Sequence, residues 1–67
     1  MDYIKLGKLV RIVRKKRGLT QEKLAELVDV STSYIGHIER GTRKLSIDML
    51  HRLCKALGVS ADFLMGI

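Results

Sequence analysis

Thr20 to Gly41 reads TQEKLAELVDVSTSYIGHIERG, and its punctuation decides how the rest of the chain must be arranged. Thr20 stands just before Gln21 and Glu22. That order suits a side-chain cap followed by first-turn acid, because the open N–H groups and positive dipole end of a helix favour both. Leu24, Ala25 and Val28 then share one side of a short helix. Asp29 and Val30 interrupt the pattern. Ser31 offers a second cap, for a helix that turns Ile35 and Ile38 inward and closes at Gly41. Two helices joined by so few residues must cross steeply, and the small side chain of Ala25 lets their axes come close.

The flanks supply partners for this pair. Leu6, Leu9, Val10 and Val13 recur at helical spacing and predict a first helix from about Tyr3 to Arg17, stopped by Gly18. Ser46, with Asp48 in the first turn, opens a fourth helix. Its core stripe is predicted as Ile47, Leu50, Leu53, Cys54 and Leu57, and Gly58 ends it. Ser60 caps a last short helix, in which Phe63 is expected to plug the core while Leu64, Met65 and Ile67 leave apolar atoms near the end of the chain. With no proline and only short β-branched runs, the chain reads as all-α, with five helices in one small domain over residues 1–67.

Composition narrows the function. No apolar run approaches the roughly 20 residues that cross a bilayer, and the N-terminus lacks the apolar centre of a signal peptide. One cysteine cannot close an internal disulfide, which points to a reducing cytoplasm. The net charge of +6 favours polyanionic partners, nucleic acid first and acidic membrane second. Residues 1–18 hold seven bases against Asp2 alone, and the remainder is balanced, six against six. A solvated helix end is the plainer account of any one member of that run. No nucleophile–base pair, phosphate-cradling glycine loop or metal cluster stands out, so neither an enzyme nor a cofactor is expected. His51 and Cys54 are too few to make a metal site with His37.

From Leu19 to Gly41 the sequence resembles the helix-turn-helix of phage repressor and Cro proteins and of the bacterial xenobiotic-response-element regulators. The resemblance runs from about Leu6 to Leu64. It is carried by the relative spacing of Thr20-Gln21, Leu24-Ala25, Ile35 and Ile38-Glu39-Arg40-Gly41. It implies a five-helix lambda-repressor-like DNA-binding domain whose motif spans about 20–41, with the second helix of the pair in the major groove. Two positions depart from the common pattern: Asp29 stands where a left-handed glycine is usual, and Leu45 where many relatives have proline.

The resemblance also assigns roles. Thr32, Ser33 and His37 match its base-contacting positions, with Gly36 between them. Either close approach of the backbone to the groove floor or tolerated drift accounts for that glycine. Gln21 matches a phosphate contact at a helix N-terminus, a spot that physics makes receptive to an anion, although a soluble first-turn residue is the alternative. Arg43 and Lys44, in a polar basic loop, are expected on phosphate. Tyr34 would rest its ring on the protein and reach a phosphate with its hydroxyl. Arg14 is implied to bridge to Glu39, tying the first helix to the recognition helix and turning the guanidinium toward phosphate. Cys54 reads as a small buried hydrophobe rather than a nucleophile.

The expected function is therefore a sequence-specific regulator of transcription, a repressor by preference, that binds double-stranded DNA as a homodimer through Leu64, Met65 and Ile67. Fraying of that terminus is the alternative. A membrane-surface role conflicts with the core's need for the apolar face of helix one. An antitoxin, a restriction-modification controller and a coactivator-like interaction module share the same architecture. No small-molecule ligand is implied, so control would come from abundance, a partner or competition.

Overall fold

The computed structural model describes all 67 residues. Five helices follow in order: α1 Tyr3–Lys16, α2 Gln21–Val28, α3 Thr32–Arg40, α4 Ile47–Leu57 and α5 Ala61–Met65. No strand is present. α3 lies between α1 and α2, α4 packs against α2 and α1, and α5 closes the bundle against α1 and α4. Each helix opens on a side chain that accepts from the backbone N–H three residues on, and these caps are Asp2, Thr20, Ser31, Ser46 and Ser60. Such caps hold each helix start in place, because the first N–H groups of a helix have no partner within it. Asp2, read only as a lone acid among bases, is the cap the sequence reading passed over.

The core joins Leu6, Val10 and Val13 of α1 to Leu24, Ala25 and Val28 of α2, and to Ile35 and Ile38 of α3. Met49, Leu50, Leu53, Leu57 and Leu64 complete it from the C-terminal half. Three expectations fail at its edge. Ile47 is 76% exposed and Met49 takes the inward place, since residue 47 begins the helix and its side chain leans back toward solvent. Phe63 is 45% exposed rather than a plug. Leu64, one position on, fills that site and is buried to 1% within its own subunit. It therefore cannot be counted in a surface for a second copy.

Two backbone details set the approach of the helices. Gly7, buried on α1, faces the backbone of α3: a β-carbon there would lie 2.7 Å from the Glu39 carbonyl oxygen and closer still to that of Ile38. The missing side chain is what lets α1 lie directly on α3. Asp29 ends α2 with φ 60° and ψ 52°, the left-handed conformation that an aspartate tolerates and a glycine adopts without steric cost. Two arginines meet unpaired helix ends across the fold. Arg17 Nε donates to the Leu57 carbonyl at 3.0 Å, and Arg52 Nη1 to that of Val28 at 3.2 Å. Cations belong at such C-terminal ends, where the carbonyls carry partial negative charge.

Gly7→Ala is expected to destabilise the fold by about 2 kcal/mol or more through overpacking against rigid backbone. Asp29→Gly should stabilise it by about 1 kcal/mol, by removing a left-handed β-carbon and an acid from a helix C-terminus. Urea denaturation followed by circular dichroism reads both, and an Asp29→Gly chain less stable than the parent would contradict the account of the turn.

Candidate nucleic-acid interface

The outward side of α3 begins at its first turn. Ser31 accepts from the Tyr34 N–H at 3.1 Å, which fixes the helix start, and Ile35 and Ile38 are buried to 0% and 1%. With those two anchored, Thr32 and Ser33 are exposed and His37 is half-buried on the opposite side. Neither hydroxyl makes a hydrogen bond within the chain, so both donors and both acceptors stay free for a groove edge. His37 is tied to the loop that follows. The Thr42 hydroxyl donates to the His37 carbonyl oxygen at 3.2 Å and lies 2.8 Å from Nδ1.

The backbone of Gly36 is covered. It is buried beneath the guanidinium of Arg40, whose Nη1 sits 3.0 Å from where a β-carbon of residue 36 would be. Close approach of bare backbone to a groove floor is therefore not available unless Arg40 moves. A glycine here costs the helix about 1 kcal/mol relative to alanine, and room for Arg40 is what that cost provides.

Behind this face lies the buried pair. Arg14 Nε donates to Glu39 Oε2 at 2.6 Å and Nη2 to Oε1 at 3.1 Å, while Nη1 donates to the Leu19 carbonyl at 2.9 Å. Gln21 Nε2 donates to Glu39 Oε1 at 3.0 Å. One carboxylate thus gathers α1, α2 and α3. Side-chain exposures of 9% for Arg14 and 4% for Glu39 leave little for a phosphate to touch, so the bridge is structural and the guanidinium is largely spent within the fold. Gln21 keeps one amide N–H free at the first turn of α2.

Arg14, Gln21 and Glu39 form the back of an open cleft of about 620 Å³ rimmed by Arg11, Thr20, Glu22, Thr32 and Arg40, with no apolar residue in its lining. The unpaired N–H groups of the α2 N-terminus border it. Beyond α3, Arg43 and Lys44 are exposed, and the Arg43 guanidinium lies 6.0 Å from the Tyr34 ring centre. The ring, half-buried against the core, gives Arg43 a cation–π rest. At the other end of the molecule Met65 is half-buried against the core and Ile67 is 86% exposed. Cys54 is half-buried, and burial pushes its thiol up against a smaller lowering from a backbone hydrogen bond, so the thiolate is disfavoured. Sequence reasoning passed over Arg11 and Arg40 as parts of the cleft. The spacing of Arg40 four residues after a helical glycine was the available signal for the latter.

These features define a class. The helix-turn-helix family model matches residues 10–64, and the chain belongs to that family. Its relatives are regulators of transcription rather than enzymes. The control protein C.BamHI of Bacillus amyloliquefaciens is 45% identical over 60 residues, 88% of this chain and 74% of that protein. The restriction-modification controller protein C.AhdI from Aeromonas hydrophila superimposes with a TM-score of 0.88 at 38% identity, covering 94% of this chain and 96% of the other. The P22 c2 repressor, crystallised with a synthetic operator, gives 0.84 at 36% identity over 88% and 89%. The five-helix arrangement is accordingly lambda-repressor-like, and the class is that of DNA-binding transcriptional regulators. Several other relatives are longer, and the chain spans from 12% to 42% of their length.

Removing one partner of the buried pair is the sharpest test of its role. Glu39→Ala should cost about 3 kcal/mol or more, because the Arg14 charge is left buried and unmatched. Arg14→Met combined with Glu39→Leu should recover most of that loss. Thermal unfolding of the two variants decides it, and a double variant no more stable than Glu39→Ala would show that the two side chains do not act as a pair.

Proposed function

We propose that residues 1–67 act as one DNA-binding domain, a sequence-specific regulator of transcription that represses by occupying a roughly palindromic operator as a homodimer. One observation carries the reading: the side of α3 away from the core is polar and unpartnered at Thr32 and Ser33, and the basic Arg43-Lys44 loop stands beside it. A helix presented in this way suits the major groove, with base edges read from its first turns. Arg43 and Lys44, Gln21 with the α2 N-terminus, and the Tyr34 hydroxyl would take phosphates, setting register and supplying salt-sensitive affinity. The similarity to the P22 c2 repressor, crystallised with a synthetic operator, supports DNA as the partner.

A homodimer suits so small a reader, because two half-sites about 34 Å apart double the contacts. Met65 and Ile67, with the exposed ring of Phe63 in place of Leu64, are the apolar atoms this reading assigns to the interface. No helix of the chain is long and apolar enough to cross a membrane, and DNA as the partner supports a cytoplasmic location. A second reading, control of a restriction-modification system, is favoured by C.BamHI and C.AhdI, each matched over most of its own length. A methyltransferase or endonuclease gene beside that of this chain would support it.

Binding of the purified chain to duplexes selected from random DNA, measured across ionic strength, tests the division of labour. Lys44→Ala should weaken all sequences alike and lower the salt slope by about 1. Ser33→Ala and His37→Ala should instead change which base pairs are preferred, each by about 1–3 kcal/mol at the affected pair. Equal weakening of selected and random duplexes by all three variants would defeat the assignment.

A further inference from the structure

The Arg40 guanidinium is placed where no charge partner explains it. Its side chain leaves the last turn of α3 and runs back toward the helix N-terminus, the direction in which helical side chains lean. It ends with Nη1 3.0 Å and Nη2 3.5 Å from the point where residue 36 would have carried a β-carbon. Of the two carboxylates that line the cleft, Glu39 is occupied by two nitrogens of Arg14 and one of Gln21, and Glu22 makes no ion pair. Arg40 itself makes no ion pair. The result is a planar fork of five donors, lacking any acceptor, held on the same outward side as Thr32 at the rim of the cleft.

We propose that Arg40 is a specificity-determining residue, reaching over Gly36 to read a guanine in the major groove from the place where residue 36 has no side chain of its own. The inference rests on the DNA-binding reading above. The chemistry selects the base: among the four, guanine presents two acceptors side by side in the major groove, O6 and N7, and a guanidinium satisfies both at once. An ammonium group offers a point charge without that fork, which separates base reading from simple attraction to phosphate. Position supports the groove over the backbone, because the fork rests on the second turn of α3 and not on the loop that follows it.

The test is selection of bound duplexes from random DNA with the full chain, alongside Arg40→Lys, Arg40→Ala and Gly36→Leu, with thermal melting to confirm that each is folded. Arg40 has no bonded partner to lose, and the three atoms nearest a β-carbon at 36 all belong to the Arg40 side chain, so all three should fold. The parent should select a guanine at one position of each half-site. Arg40→Lys and Arg40→Ala should lose that preference about tenfold while keeping the others. Gly36→Leu, by evicting the guanidinium, should lose the same position. Unchanged base preferences in Arg40→Lys, a uniform loss over all sequences in Arg40→Ala, or retention of the guanine by Gly36→Leu would each overturn the role of Arg40 while leaving the DNA-binding reading intact. A parent chain that selects no sequence would take both down.

Discussion

One carboxylate organises the reading surface. Glu39 stands in the last turn of α3 and accepts from Arg14 of α1 and Gln21 of α2, so three helices meet at a single pair of oxygens. Apolar contacts alone would permit α3 to slide or rotate by small amounts with little change in buried area, because hydrophobic burial has no direction. A bidentate guanidinium–carboxylate pair tolerates no such freedom. The pair adds little net stability once its desolvation is counted. What it sets is orientation, and orientation is what a helix presented to a groove requires.

The close packing of α1 on α3 makes that pair reachable. Gly7 removes the β-carbon that would hold the helices apart, bringing the α1 backbone against the Ile38 and Glu39 carbonyls. Gly7 sits one layer behind the exposed side chains, so the polar face of α3 rests there on the backbone of α1 instead of on long, adaptable side chains. Rigidity behind the reader lets short side chains such as Thr32 and Ser33 act at defined positions.

The basic excess is less uniform in purpose than its concentration in residues 1–18 suggests. Arg14 is consumed by Glu39 and Leu19, and Arg17 covers the exposed end of α4. Arg11 stays free at the cleft rim. Lys5 lies along α5, where its ammonium nitrogen comes near Gly66. Arg11 and Arg40 line the cleft, and Arg43 and Lys44 stand exposed just after α3. Three of these four come from residues 19–67, whose net charge is zero. Net charge forecasts a polyanionic partner, but it does not say which side of the molecule will meet it.

Much of this was legible in the residues themselves. Helix starts followed from Thr20, Ser31, Ser46 and Ser60, and the inward anchors of α3 from Ile35 and Ile38, because capping and periodicity act over three or four residues; the left-handed turn at Asp29 was implied by the family resemblance. Where periodicity is short it misled: in α5 one turn could not tell Phe63 from Leu64, and at the start of α4 it favoured Ile47 over Met49. The need for glycine at 7 and the seat of Arg40 over Gly36 were out of reach, since each depends on what another segment or another turn brings to that spot. The chain alone determined five capped helices and a polar third one, since those are local preferences. Which oxygens Arg14 would grip, how near α1 could come, and where the Arg40 fork would rest were decided only when the helices packed, because distance between segments is a property of the assembled core.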